Sequence, residues 1–224
     1  SGSPAPLDDP PPKESAPGRS IGIDLGTSNS AVAAVIDGQP SIIRNVQGAR
    51  TTPSAVGFVK RPEGVDIIVG DEAMKVQEDA SVFTSIKRVI GRSYQEARKV
   101  APSGLIKSLV DSFEAGLVVK CPALEGDLLP EEVSCHVIRR LMDDAEAALG
   151  ENVTRAVITV PAYFTDKQRE ATEAAGMLAG LEKVKLLREP EAAALAYGLD
   201  KLQDELIMVY DLGGGTLDVS VLEV

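Results

Sequence analysis

Two stretches near opposite ends of the chain share one pattern of apolar and polar positions. In the first, Ile21-Gly22-Ile23 leads into Asp24-Leu25-Gly26, then into the small and hydroxyl residues Thr27-Ser28-Asn29-Ser30. A second apolar run follows, Ala31-Val32-Ala33-Ala34-Val35-Ile36. In the second, Val209-Tyr210 leads into Asp211-Leu212-Gly213-Gly214-Gly215-Thr216, and the chain continues with Leu217-Asp218-Val219-Ser220-Val221-Leu222. Each copy reads as a β-hairpin with an aspartate at the mouth of its loop. After the first hairpin, Ser41-Ile42-Ile43 and Ala55-Val56-Gly57-Phe58-Val59 read as strands, with a tight turn at Asp37-Gly38 and a further short strand between Gly64 and Gly70. Residues 71–100 read as helical. Within them Ile86, Val89 and Ile90 fall on one helix face, with Lys87 beside them. Residues 101–130 are short strands punctuated by Pro and Gly, around Leu117-Val118-Val119.

Residues 131–149 predict an amphipathic helix, because Val133, Val137, Leu141, Ala145 and Leu149 recur at helical spacing. Glu131 and Glu132 favour its start, and Gly150 stands at its end. Ala156-Val157-Ile158-Thr159-Val160 is an apolar strand ending at Pro161. Thr165 and Gln168 form a capping box for a helix that stops at Gly180. Residues 184–187 make another strand, which leads through Arg188-Glu189-Pro190 into a short helix over 191–198. Strand and helix alternate from 154 to 210, which predicts an α/β fold whose inner sheet is mostly parallel and joined to the first hairpin.

Glycine lets a loop backbone turn sharply and approach a ligand closely. Successive N–H groups in such a loop form an anion-binding concavity. Two facing loops would grip a phosphate chain from both sides, with Asp24 and Asp211 holding a hydrated Mg²⁺ between them. Neither copy is a Walker loop, since no Gly-Lys-Ser/Thr follows, and the Gly-x-Gly-x-x-Gly spacing of a Rossmann turn is absent. Glu189 directly follows strand residues, and strand ends line clefts in α/β folds. Lys87 by itself reads as a solvated helix charge, and Asp218 as an outward-facing strand carboxylate. The only histidine, His136, has no catalytic partner pattern around it.

Composition narrows the partners. The chain has 224 residues and a net charge of −11, which argues against nucleic acid or an anionic membrane as a partner. Phosphate binding must therefore come from local N–H groups and one or two lysines. With 44% hydrophobic residues, 4% aromatic and no Trp, the core must be built from Val, Leu, Ile and Ala. No apolar run reaches the ~18 residues of a membrane span. Cys121 and Cys135 suggest idle thiols in a reducing compartment, although two cysteines could pair. Residues 1–20 are rich in Pro, Ser and Gly and read as a flexible tail. A first residue other than Met fits a processed transit peptide or a cloning remnant equally.

The segments IGIDLGTSNSAVA, GARTTPSAVGF, IKRVIGRS, AVITVPAYFTDKQREAT, EPEAAALAYGLD and VYDLGGGTLDVSVLEV resemble, in order, the nucleotide-binding domain of the seventy-kilodalton heat-shock protein family, the DnaK-type chaperones. The segment Val119-Lys120-Cys121-Pro122-Ala123 is similar to cyanobacterial and plastid members in particular. The resemblance implies an actin-like ATPase (ribonuclease H-like) fold, comprising lobe I and the first hairpin of lobe II. It implies ATP/ADP and Mg²⁺ as ligands, and ATP hydrolysis serving protein folding under heat stress. Residues 21–54 and 131–200 would form the larger subdomain of lobe I, 55–130 a smaller inserted subdomain, and 201–224 the start of lobe II. The family's motif places Lys87 near the γ-phosphate and the attacking water. Glu189, Asp211, Thr216 and Asp218 complete the implied catalytic set. Gly26, Thr27, Ser28, Asn29, Gly213, Gly214, Gly215 and Thr216 would contact phosphate. Pro161 and Arg169 would relay nucleotide state to a peptide-binding domain.

Three departures from the family pattern stand out: Ser28 for a common Thr, Arg188 for a common Asn, and Glu191 for a common Thr. The expected partners are a J-domain co-chaperone, a nucleotide-exchange factor and unfolded client peptides, the last through a domain outside this chain. The sequence stops soon after the second hairpin, which is expected of a fragment, a partial chain or a truncated relative whose 206–224 edge is covered by a partner. A non-catalytic structural subunit is the alternative function. The chloroplast stroma is the expected compartment, with the cytoplasm as the alternative.

Overall fold

The computed structural model describes residues 18–76, 80–198, 205–213 and 217–223. Strand β1 (Arg19–Asp24) pairs antiparallel with β2 (Asn29–Ile36), so that Ile23 lies opposite Val32 and Asp24 opposite Ala31. The alternation read from the sequence has its physical cause here. Ile21, Ile23, Val32 and Ala34 point into the core, while Asp24 ends its strand on the open side. β3 (Gln39–Ile43) continues the sheet beyond the turn at Asp37-Gly38, where both residues have positive φ. The short β4 (Thr52–Pro53) pairs with the start of β2.

β5 (Ala55–Arg61), β6 (Gly64–Val69) and β7 (Ala80–Thr84) form a three-stranded antiparallel sheet with β5 in the middle; the short helix α1 (Asp71–Lys75) lies between β6 and β7. After β7 the chain makes a single 3₁₀ turn, Ile86–Arg88, and then helix α2 (Tyr94–Val100). This corrects the helical reading of residues 71–100, which also hold the strand β7 and only a single turn around Lys87. The apolar residues Ile86, Val89 and Ile90 are buried as expected, but Ser85 and Gly91 both adopt positive φ and bracket a turn too short for an α-helix. Helix α3 (Ser103–Ile106) precedes β8 (Leu109–Ser112), β9 (Gly116–Cys121) and β10 (Gly126–Leu128), a second antiparallel sheet of three strands.

Helix α4 (Pro130–Leu149) begins with Pro, whose missing N–H costs nothing in a first turn, and ends at Gly150 in the left-handed region. Val133, Val137, Ile138, Leu141, Met142 and Ala145 are buried along one stripe. Each fully buried Val, Leu or Ile contributes about 1.5–3 kcal/mol. β11 (Val153–Val160) runs parallel to β1, with Thr159 beside Asp24, and parallel to β12 (Lys183–Arg188) on its other side. Helix α5 (Asp166–Leu178) connects them and starts with the expected capping box of Thr165 and Gln168. Helix α6 (Glu189–Ala196) begins two residues earlier than the sequence suggests, because the strand passes directly into it at Arg188.

The central sheet has six strands in the order β12-β11-β1-β2-β3, with β4 on β2. Its β12-β11-β1 half is parallel and the rest antiparallel. The last hairpin, β13 (Leu206–Leu212) and β14 (Leu217–Glu223), stands apart from it as a two-stranded sheet. The strand expected to close the inner sheet near residue 210 therefore pairs with its hairpin partner instead. One contiguous apolar cluster joins the central sheet, α4 and the two smaller sheets. Cys121 and Cys135 are free thiols, and Cys135 is pushed up to about 11 by burial and by Glu132. No helix among the described residues is long and apolar enough to cross a membrane.

Candidate functional site

The loop between β1 and β2 is shaped by glycine. A Cβ at Gly26 would lie 1.9 Å from the Asn29 carbonyl oxygen, so no other residue fits this turn. The loop's inward-facing polar groups are tied together. The Gly26 N–H donates to Ser30 Oγ at 3.2 Å, and Ser54 Oγ donates to the Gly26 carbonyl at 2.8 Å. The Ser54 N–H donates to the Ser28 carbonyl at 2.8 Å, and the Ser30 and Ser54 hydroxyls share a hydrogen bond of 2.8 Å. Among the described residues, the N–H groups of Thr27 and Ser28 have no acceptor. Gly26 thus sets the loop's shape, while its own N–H is engaged within the protein.

Lys87 enters from the 3₁₀ turn after β7. That turn is seated on α5 through Gly91, which has φ +63° and whose Cβ would lie 2.5 Å from the Gln168 Cα and the Lys167 carbonyl. Glu189 enters from the β12–α6 junction. Lys87 Nζ and Glu189 Oε1 are 2.5 Å apart, with side chains only 11% and 17% exposed. Burial pushes the Glu189 carboxyl above its usual range; Lys87 offsets part of this, and the nearby Asp24 and Asp211 push it further up. Asp24 also accepts a hydrogen bond of 2.9 Å from Thr159 Oγ1. On the second hairpin, Asp211 and Asp218 are direct cross-strand partners, an arrangement of like charges that works against the hairpin's own stability.

These groups meet in one cleft of about 280 Å³. Asp24 and the 26–29 loop line it together with Asp211, Gly213 and Asp218 of the second hairpin and the Lys87–Glu189 pair. Pro161, at the end of β11, also lines it, whereas Arg169 lies along α5 and does not. Gly214, Gly215 and Thr216 lie outside the described residues. Sequence reasoning passed over Arg88, Arg92 and Tyr163 in the cleft wall, and Ser54 and Thr159 behind it. The repeat of Arg around Lys87 was a visible signal; the two hydroxyls carried none. Asp218 faces the cleft rather than bulk solvent alone.

The donor set fits a hydrated divalent cation. Carboxylates crowd the cleft, and their mutual repulsion is registered at Glu189. Among the described residues no three His, Cys, Asp or Glu side chains come close enough to ligate a metal directly. An ion held here would keep most of its waters, as Mg²⁺ prefers. The unpaired N–H groups of the first loop and the Lys87 ammonium fit the oxygens of a phosphate chain.

Fold and cleft together define an α/β protein in which two hairpins open onto one cleft. The chain belongs to the family described as Hsp70 protein, which it matches over residues 20–224. It is 51% identical over 209 residues to the chaperone protein dnaK of Phaeodactylum tricornutum, covering 92% of this chain and 33% of that protein. It is 49% identical over 209 residues to the chaperone protein DnaK of Prochlorococcus marinus, covering 92% and 32%. Against the chaperone protein dnaK3 of Thermosynechococcus vestitus the identity is 50% over 210 residues, covering 92% and 30%. The chain thus spans about a third of the length of these curated relatives. Membership implies an actin-like ATPase fold, and the mixed α/β architecture agrees with it.

Proposed function

We propose that this chain is the Mg²⁺- and ATP-binding part of an ATP-hydrolysing heat-shock chaperone. The observation that carries the reading is that both Asp-Leu-Gly hairpins open onto one cleft, with the Lys87–Glu189 pair between them. Residues 21–54 and 131–200 make up the larger subdomain of lobe I, 55–130 the smaller one, and 201–224 the start of lobe II. When bound, Mg²⁺–ATP supplies the phosphoryl group to be passed to water and the cation that offsets its charge.

The protein's own groups divide the remaining work. The Thr27 and Ser28 N–H groups donate to phosphate oxygens, and Asn29, Gly213, Gly214, Gly215 and Thr216 would contact phosphate as well. Asp24 and Asp211 accept hydrogen bonds from the waters of the ion. Lys87 balances negative charge at the terminal phosphate, worth roughly 3–4 kcal/mol of barrier in comparable sites. Glu189, held by Lys87, accepts from the attacking water and orients it. Asp218 and Thr216 would assist near that water. Pro161 and Arg169 pass the nucleotide state onward to a peptide-binding domain.

The partners that go with this function are unfolded clients, a J-domain co-chaperone and a nucleotide-exchange factor. The apolar face of the last hairpin, with Met208, Tyr210 and Leu212 more than half exposed, suits cover by further polypeptide. The free thiols, and the likeness to cyanobacterial and diatom relatives, support a reducing compartment such as the chloroplast stroma or a cytoplasm.

Replacing Lys87 tests the reading. In the complete natural polypeptide, Lys87→Ala is expected to keep Mg-ATP affinity within about threefold and to cut single-turnover hydrolysis by on the order of 10²-fold or more. Equal loss of binding and hydrolysis, or hydrolysis at the wild-type rate, would contradict the role given to Lys87.

A further inference from the structure

We infer that Thr159 is a positioning residue for magnesium: it fixes the Asp24 carboxylate so that one oxygen stays aimed at the ion's water shell. The inference rests on the reading of Asp24 as a magnesium-shell residue and goes beyond it, because Thr159 lies on another strand, outside both Asp-Leu-Gly loops, and had no role assigned to it.

Three observations meet at this hydroxyl. The parallel register of β1 and β11 sets Thr159 beside Asp24. Its Oγ1 lies 2.9 Å from Asp24 Oδ1 and 3.5 Å from the Ile23 carbonyl, so the proton goes to the nearer and negatively charged acceptor. Thr159 also lines, with Asp24, Glu189 and Asp211, the hollow between the central sheet and the last hairpin. A threonine in a strand has few χ1 choices, so its hydroxyl is a rigid donor. Asp24 is at the end of its strand and exposed, and without that donor its carboxylate would turn freely. The hydrogen bond engages Oδ1 and leaves Oδ2 open. An ion held through waters tolerates little misplacement of the oxygens that its waters meet, and partners behind a ligand commonly set its orientation.

The test uses the complete natural polypeptide and ADP as the probe. The binding of ADP is titrated at rising Mg²⁺, and again in excess EDTA, for wild type, Thr159→Val, Thr159→Ser and Asp24→Asn. Thr159→Val keeps the branched shape and removes only the donor. It is expected to raise the half-saturating Mg²⁺ concentration about tenfold, with EDTA-state ADP affinity and melting temperature unchanged. Thr159→Ser is expected to restore the wild-type midpoint, which a purely structural threonine would not require. A wild-type midpoint in Thr159→Val alongside a raised one in Asp24→Asn would overturn the positioning role alone. An unchanged midpoint in Asp24→Asn would overturn the assignment of Asp24, and the inference with it. Should Thr159→Val misfold, Thr159→Ser carries the test with Thr159→Ala, which must show the raised midpoint.

Discussion

At the scale of single residues, the groups to which chemistry is proposed were legible and the groups that hold them were not. Asp24 and Asp211 could be named from their glycine loops and Glu189 from its place at a strand end, whereas Lys87 read as a solvated helix charge and was named only through the family resemblance. Ser54 and Thr159 could not, because their hydrogen bonds span 28 and 135 positions and depend on strand register. Gly91 was equally silent: its need for glycine comes from α5, far along the chain. Gly91→Ala is therefore expected to cost roughly 1–3 kcal/mol of folding stability, from a positive φ and from contact with the α5 backbone. Chemical denaturation measures this. Gly104→Ala, where a Cβ meets nothing within 4 Å inside α3, should cost nothing or stabilise slightly. A Gly91→Ala protein as stable as the Gly104→Ala protein would contradict the seating of the Lys87 turn on α5.

At the scale of elements, long periodic segments were legible and short ones were not. Helix α4 runs over 20 residues with its apolar stripe where the periodicity placed it. The stretch around Lys87 has three apolar residues at helical spacing, yet it follows the strand β7 paired with β5 and is only a turn, bracketed by Ser85 and Gly91 at positive φ. Both hairpins form as the alternation predicts, but the second leaves the central sheet.

Helix α4 also carries a pH dependence. His136 packs edge-on against Phe58, with ring centroids 5.6 Å apart, and burial lowers its pKa below the usual 6.5 although Glu132 pulls the other way. Above pH 6.5 the ring is neutral in the folded and the unfolded chain. As the pH falls from there, the unfolded chain takes up the proton first, so stability declines until the folded value is passed. Thermal unfolding between pH 7 and 5 should show this decline, and His136→Phe should reduce its slope. A variant with an unaltered slope would place the acid sensitivity elsewhere.

At the scale of the whole molecule, the two ends of the chain act on one volume of space. The cleft joins a hairpin built into the six-stranded sheet to a hairpin that stands outside it, so its width depends on how these two bodies sit across α6. Carboxylates in that cleft repel one another, as the raised Glu189 pKa registers, and the proposed cation would offset that cost.

The shared cleft is tested most directly by a double-mutant cycle on Mg-ATP affinity, measured by calorimetry in the complete natural polypeptide. If Asp24 and Asp211 act on one hydrated ion, Asp24→Asn and Asp211→Asn should each weaken Mg-ATP binding, and the double variant should lose clearly less than the sum of the two, with a coupling of at least about 0.5 kcal/mol. Strictly additive losses, or no loss from either substitution, would mean that the two loops do not hold the same ion.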